Sequence, residues 1–271
     1  MKKIKIGFPL IIKIFLLILI SGLMFGCIWT GHHQSDPDDN GSVSLPEILP
    51  EKKLAFSEEL AYPPNGKILM SRYLSELKKE TKDAVGWIRI PGTEISFPIV
   101  QADDNTYYLR RDYLANHSRP GCIFMDYRND SSQLSDKNTI LYGHNMNDAR
   151  KFGKLMPFKD PSYIEDRPYI ELVTDAGYSI WQIFSAHVTS RDFYYIYTRF
   201  PSDEVFHDFV LTLKEKSMHS LDVAVSSDDQ ILTLSTCSYE FRDAYFAVHA
   251  VQIHLLDLAD SPRSDKQPTL K

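Results

Sequence analysis

Beyond residue 84 the chain is a succession of short apolar or alternating runs separated by polar, glycine- and proline-containing breaks. The runs fall at 86–90, 95–100, 122–126, 139–142, 169–173, 178–189, 221–226, 231–237 and 245–253. So many short strands predict a mainly β domain closed into a barrel. Two helical stretches stand among them. Over 66–82, Leu69, Tyr73 and Leu77 recur at i, i+4 and i+8 between Lys and Glu, which predicts one apolar stripe on a helix that packs against the domain. Over 201–217, Ser202 is placed as an N-cap with Asp203 and Glu204 in the first turn. Val205, Phe206, Phe209, Val210 and Leu213 follow, so a helix interrupts the strands before the last two.

The N-terminus has a different pattern. Lys2, Lys3 and Lys5 precede an apolar run that reaches Trp29 and is broken by Lys13. A spanning helix needs about 20 apolar residues, and positive residues ahead of it set the N-terminus inside. Residues 1–29 are therefore expected to form a membrane anchor, with the N-terminus cytoplasmic and the remainder extracellular. A cleaved signal peptide, and a lipoprotein signal with Cys27 as the modified residue, are the competing readings. Met24 and Phe25 make a poor lipidation box, and no small-x-small site precedes Trp29, which favours the uncleaved anchor. Residues 30–53, rich in Asp, Gly, Ser and Pro, are expected to be a solvated tether, 54–258 the folded domain and 259–271 a polar tail.

With 43% apolar residues in 271, the chain can bury a substantial core. A formal charge of −6 and the lack of a basic patch with interleaved aromatics argue against nucleic acid as a partner. Three cysteines, one of them in the apolar N-terminal segment, make no disulfide framework, and no Cys/His cluster has zinc spacing. Chemistry is instead concentrated at two strand ends. Ile231-Leu232-Thr233-Leu234-Ser235-Thr236-Cys237 runs from an apolar strand into a thiol followed by polar residues. Asn138-Thr139-Ile140-Leu141-Tyr142-Gly143-His144-Asn145-Met146 ends the same way in an imidazole. A thiol is nucleophilic as its thiolate, and an imidazole beside it favours that form and later delivers a proton to a leaving amine. The pair suits acyl transfer.

These two motifs resemble those of class B sortases. The resemblance continues in order through Val85-Gly86-Trp87-Ile88-Arg89-Ile90-Pro91-Gly92-Thr93, Phe97-Pro98-Ile99-Val100-Gln101, Asp104-Asn105-Thr106-Tyr107-Tyr108-Leu109, Gly121-Cys122-Ile123-Phe124-Met125-Asp126 and Phe152-Gly153-Lys154-Leu155, and covers roughly residues 54–255. It implies an eight-stranded sortase-type β-barrel with an N-terminal helix, short helices and a helix inserted between the sixth and seventh strands. It implies catalytic Cys237 and His144 on a membrane-anchored cysteine transpeptidase. Such an enzyme cleaves a sorting motif in secreted proteins through an acyl-enzyme and passes them to an amine of cell-wall peptidoglycan, as in Gram-positive surface-protein anchoring. Neither cofactor nor metal is required. The family also places an arginine at the start of the last strand, and there the chain departs: Tyr245 stands at that position, and the nearest cation is Arg242. Either Arg242 reaches the groove or Tyr245 donates one neutral hydrogen bond in its stead. Ser235, Thr236, the Ser238 amide, Tyr245 and Tyr195 are the candidate substrate contacts, with Tyr194 and Tyr197 as further candidate groove walls. A cysteine endopeptidase using water, and a tethered protein that binds sorting peptides without turning them over, are the alternative functions.

Overall fold

A computed structural model describes residues 64–145, 151–190, 192–238 and 243–256. The expected anchor at 1–29, the tether at 30–53, the tail at 259–271 and Arg242 lie outside the described residues. Among the described residues no helix is long and apolar enough to cross a membrane.

Helix α1 (Pro64–Glu80) leads into strands β1 (Ala84–Arg89), β2 (Ser96–Val100), β3 (Ile123–Met125) and β4 (Asn138–Tyr142). A 3-10 segment, Tyr107–Arg110, precedes β3, and a second, Phe152–Lys159, follows β4 and runs into the short helix α2 (Pro161–Asp166). Then come β5 (Tyr169–Thr174), β6 (Gly177–Thr189), helix α3 (Asp203–Glu215), β7 (Ile231–Ser238) and β8 (Ala244–Leu256). The eight strands close in the order β1-β2-β3-β4-β7-β8-β6-β5, and β5 pairs back onto β1. Helix α3 stands between the sixth and seventh strands. Closure leaves no free sheet edge, which removes the usual route to edge-to-edge association.

Period-two alternation divides the core in two. Leu232 and Leu234 of β7, with Phe246 and Val248 of β8, Leu141, Leu172 and Trp181, fill the barrel interior. Ile231 of β7 and Ala247 and Val251 of β8 face outward, under Phe206, Phe209, Val210 and Leu213 of α3. Helix α3 begins as its sequence indicates, with the Ser202 hydroxyl accepting from the Val205 amide. Each fully buried apolar side chain on it contributes about 1.5–3 kcal/mol.

Two expectations are corrected. The buried face of α1 is Gly66, Met70, Leu74 and Leu77, seated on Trp87, Val173, Tyr178 and Ile180, while Leu69 is 40% exposed. Leu77 is buried as expected, whereas Leu69 and Tyr73 lie one residue around the helix from Met70 and Leu74. Met70 and Leu74 offer an equally spaced apolar set, and contact with the barrel decides between them. Tyr73 is half-buried with its ring 4.9 Å from that of Trp87, at the border of the two rows. Residues 221–226 are not a strand. Every strand of the closed barrel already has two neighbours, so no ladder remains for this segment. Its apolar pattern comes from Val223 and Val225 packing under α3 and Leu221 packing on the barrel-interior cluster.

Candidate active site

Strands β4 and β7, far apart in the chain, are parallel neighbours with Asn138 opposite Ile231 and, rung by rung, Tyr142 opposite Ser235. The Gly143 amide continues the ladder by donating to the Ser235 carbonyl at 3.2 Å. His144 follows Tyr142 by two residues and Cys237 follows Ser235 by two, just past the last paired rung, and the Asn145 side-chain amide donates to the Cys237 carbonyl at 3.0 Å, which joins the two segments. Ser235 is on the outer face, its Oγ 2.7 Å from the Tyr195 hydroxyl, so Cys237, two residues on in the same strand, belongs to that face by alternation; Tyr142, the last residue of β4, points outward to Asp126. His144 and Cys237 are both partly exposed.

The His144 ring is oriented by Tyr107–Arg110: its Nε2 lies 2.7 Å from the Leu109 carbonyl oxygen. A carbonyl only accepts, so Nε2 carries the hydrogen and Nδ1 is left as the basic atom of the neutral ring. Burial lowers the His144 pKa below 6.5; the Leu109 hydrogen bond opposes this and nearby Arg110 adds to it. His144 is mainly neutral at pH 7. Gly143 is required by close approach rather than by backbone torsion, because a Cβ there would meet the Phe152 ring at 2.8 Å and collide with Ile123.

On the far side of β7, Cys237 is paired with Tyr245 and Ser238 with Ala244. Ser235 and Cys237 turn their carbonyls toward β4, since these accept from Gly143 and Asn145, so the alternate residues Thr236 and Ser238 turn their main-chain groups toward β8. The Ser238 amide is thus directed at the Ala244 rung and not at the outer face where an oxyanion would form. Tyr245 is half-buried on that face, directly opposite Cys237. Thr236 is 3% exposed, points to the barrel interior side of β7, and its Oγ1 has no hydrogen-bond partner among the described residues.

Tyr195 is buried and hydrogen-bonded to Ser235, so it backs the strand instead of walling a groove. The exposed aromatics of that segment are Tyr194 and Tyr197, with ring centroids 4.6 Å apart. They are tied to the strand ends by a network with no counterpart in the sequence-based expectations. Buried Asp126, just past the end of β3, receives two bonds from the Arg128 guanidinium (2.8 and 2.7 Å) and one from the Arg128 amide, one from Asn105 and one from the Tyr142 hydroxyl at 2.9 Å. Arg128 also donates to the Tyr194 hydroxyl and the Ile196 carbonyl. Burial alone would raise the Asp126 pKa, but the Arg128 bonds outweigh it, so the carboxyl stays ionised. A charged residue closing an apolar strand was its only signal in the sequence. Cys122 is an ordinary buried thiol, unbridged and pushed up to about 12 by burial.

Among the described residues no cluster of three or more His, Cys, Asp or Glu is placed to hold a metal. A partly exposed thiol at the end of β7 and an imidazole just past the end of the adjacent β4, its Nε2 fixed by a carbonyl, are the residue types of a nucleophile–base pair with its orienting group.

The sortase domain family matches residues 88–252. Sortase B of Listeria monocytogenes is 39% identical over 194 residues, covering 71% of this chain and 78% of that relative. The Staphylococcus aureus sortase B–substrate complex superposes with a TM-score of 0.64 at 37% identity, covering 69% of this chain and 90% of the other. A sortase B crystallised with triglycine gives 0.63 at 36% identity, over 69% and 91% of the two chains.

Proposed function

The chain belongs to the sortase family as a class B member, a cysteine transpeptidase, and on that premise we propose that it joins secreted surface proteins to the cell wall with Cys237 as nucleophile and His144 as general acid and base. The observation that supports the reading is the parallel pairing of β4 and β7, whose ends lead into His144 and Cys237, with the Asn145 amide bonded to the Cys237 carbonyl.

In the first half-reaction, His144 Nδ1 takes the Cys237 thiol proton, and the resulting thiolate adds to the carbonyl carbon of the scissile peptide bond in a sorting motif. The tetrahedral adduct collapses with loss of the C–N bond, and the protonated His144 ring gives its Nδ1 proton to the departing amine. A thioester to Cys237 remains. In the second, an amine of a wall peptide adds to the thioester, His144 Nδ1 takes its proton, and the C–S bond breaks to restore the thiolate. The Leu109 carbonyl holds the ring through both steps, because it keeps Nε2 protonated and leaves Nδ1 to cycle. Charge on the adduct oxygen falls either to Arg242 or to Tyr245, which pairs with Cys237 across β7 and β8.

The occupants follow from the relatives: a sortase B has been solved with its substrate and another with triglycine, and for this chain we assign an extended sorting peptide and a primary-amine acceptor. Residues 1–29 hold the domain at the outer face of the membrane, through the tether at 30–53. The test incubates the full chain with a panel of sorting peptides, with and without triglycine, and weighs the products. An amide-linked product that appears only with the amine supports the reading. Hydrolysis alone, unchanged by the amine, assigns an endopeptidase, and binding without any product assigns a peptide receptor.

A further inference from the structure

The ladder between β4 and β7 has an unusual last rung. Gly143 N–H donates to the Ser235 carbonyl, and strand continuation would next bring the Asn145 N–H to the Cys237 carbonyl. The chain does not continue in that way. The Asn145 main chain turns to an isolated antiparallel bridge with Lys151, and its side chain supplies the missing donor: Nδ2 lies 3.0 Å from the Cys237 oxygen. Asn145 is only 8% exposed, so the bond is shielded from competing water.

This substitution has a geometric result. Were residues 143–145 a regular strand, His144 would be held to the pleat; with the rung made by a side chain, the backbone at 144 is released to aim Nε2 at Leu109. At the same time, the residue that follows the base grips the peptide unit of the nucleophile. One amide thus ties the base segment to the nucleophile segment beyond the point where main-chain pairing ends.

We propose that Asn145 is a positioning residue that sets the spacing between Cys237 and His144, and so the thiolate fraction and the rate of acyl transfer. The inference rests on the Cys237–His144 reading above. Asn145 touches no reacting atom; it acts through the Cys237 backbone.

The test follows the rate of iodoacetamide alkylation at Cys237 against pH in the full chain, read by peptide mass so that Cys27 and Cys122 do not interfere, together with kcat, KM and the thermal midpoint. The variants are Asn145→Asp, which is isosteric but lacks the donor, Asn145→Ala, and Asn145→Gln, which keeps the amide. His144→Ala is the reference for a thiol without its base. For Asp and Ala, the alkylation inflection is expected to move toward that of His144→Ala. Their kcat is expected to fall roughly 10- to 100-fold, the scale for a small misplacement of reacting groups, with little change in KM. Gln recovers part of both. The proposal is overturned if Asp and Ala keep the wild-type inflection and kcat, or if all three variants lose activity in step with their thermal midpoints. A wild-type inflection equal to that of His144→Ala would remove the nucleophile–base reading itself, and the role of Asn145 with it.

Discussion

Cys237 and Tyr245 are direct cross-strand partners of β7 and β8, in a rung whose main-chain groups on the β7 side turn away toward β4. Such a pair has the closer side-chain approach of the two kinds in an antiparallel ladder, with Cβ atoms about 4.5–5.5 Å apart. The phenol therefore stands beside Cys237, the proposed nucleophile, where class B relatives are expected to carry an arginine. A neutral donor gives roughly half the strength of a charge-assisted one. Tyr245→Arg is expected to raise kcat by about tenfold or more. Tyr245→Phe and Arg242→Ala are each expected to lower it, by up to the roughly 10²–10³ lost with an oxyanion donor. Steady-state kinetics on the three variants divides the work: no loss in Arg242→Ala removes Arg242 from the site.

Arg128 holds Asp126 ionised in the interior and reaches across to Tyr194 and the Ile196 carbonyl. Arg128→Ala leaves that carboxylate buried with only Asn105, Tyr142 and local main-chain donors. Breaking one side of a buried pair costs about 3–5 kcal/mol. Chemical denaturation is expected to show a loss of that size. Because the same side chain anchors the segment bearing Tyr194 and Tyr197, KM for the sorting peptide should rise more than kcat falls.

His187 and His249 stack at 5.1 Å on the outer face, both at 1% exposure or less, and burial lowers both pKa values, that of His187 to about 4. Around them are Phe184, Phe193, Tyr195 and Thr233, whose hydroxyl is 2.9 Å from His249 Nδ1; the Lys216 ammonium nearby further disfavours a charge on His187. The folded state binds these protons less readily than the unfolded state. Its stability is complete above pH 6.5 and is lost as the pH falls through that value toward 4, by about 3 kcal/mol for His187 alone. Neither nitrogen of His187 has a hydrogen-bond partner among the described residues, so His187→Phe removes the proton site without breaking a bond. Acid titration followed by circular dichroism is expected to place the unfolding midpoint of His187→Phe at lower pH than wild type; an unchanged midpoint contradicts this.

Gly143→Ala tests the tight passage ahead of the base. Its Cβ has no room against Phe152 and Ile123, and overpacking of this kind costs about 1–3 kcal/mol. The displaced strand end carries His144, so activity is expected to fall by more than the thermal midpoint suggests, measured as kcat at a temperature where the variant is fully folded.

The strands were legible because period-two runs report burial on one face, and the N-cap of α3 because Ser202 with acidic followers has a direct electrostatic cause. Periodicity names a face and not a neighbour. That β4 lies beside β7, and that residues 221–226 find no partner, depends on barrel closure, which no local pattern encodes. In α1 two equally spaced apolar rows compete, and the contact with Trp87 and Ile180 chooses Met70 and Leu74 over Leu69. The cysteine and histidine were visible as polar ends of apolar strands. Asn145, Asp126 and Arg128 were not, because their roles lie in bonds to residues distant in the chain. Tyr195 and the Ser238 amide show the converse: suitable chemistry in the sequence, turned inward or into the ladder by the fold.

At the centre of the proposed chemistry is a covalent bond from Cys237 to the sorting peptide, with His144 as the proton carrier. Intact-protein mass spectrometry of the full chain, quenched after mixing with a sorting peptide in the absence of amine, tests it directly. The expected result is an adduct with the mass of the N-terminal peptide fragment, mapped to Cys237, discharged on adding triglycine, absent in Cys237→Ala and strongly slowed in His144→Ala. Peptide cleavage that persists in Cys237→Ala, or an adduct on any other residue, would contradict it.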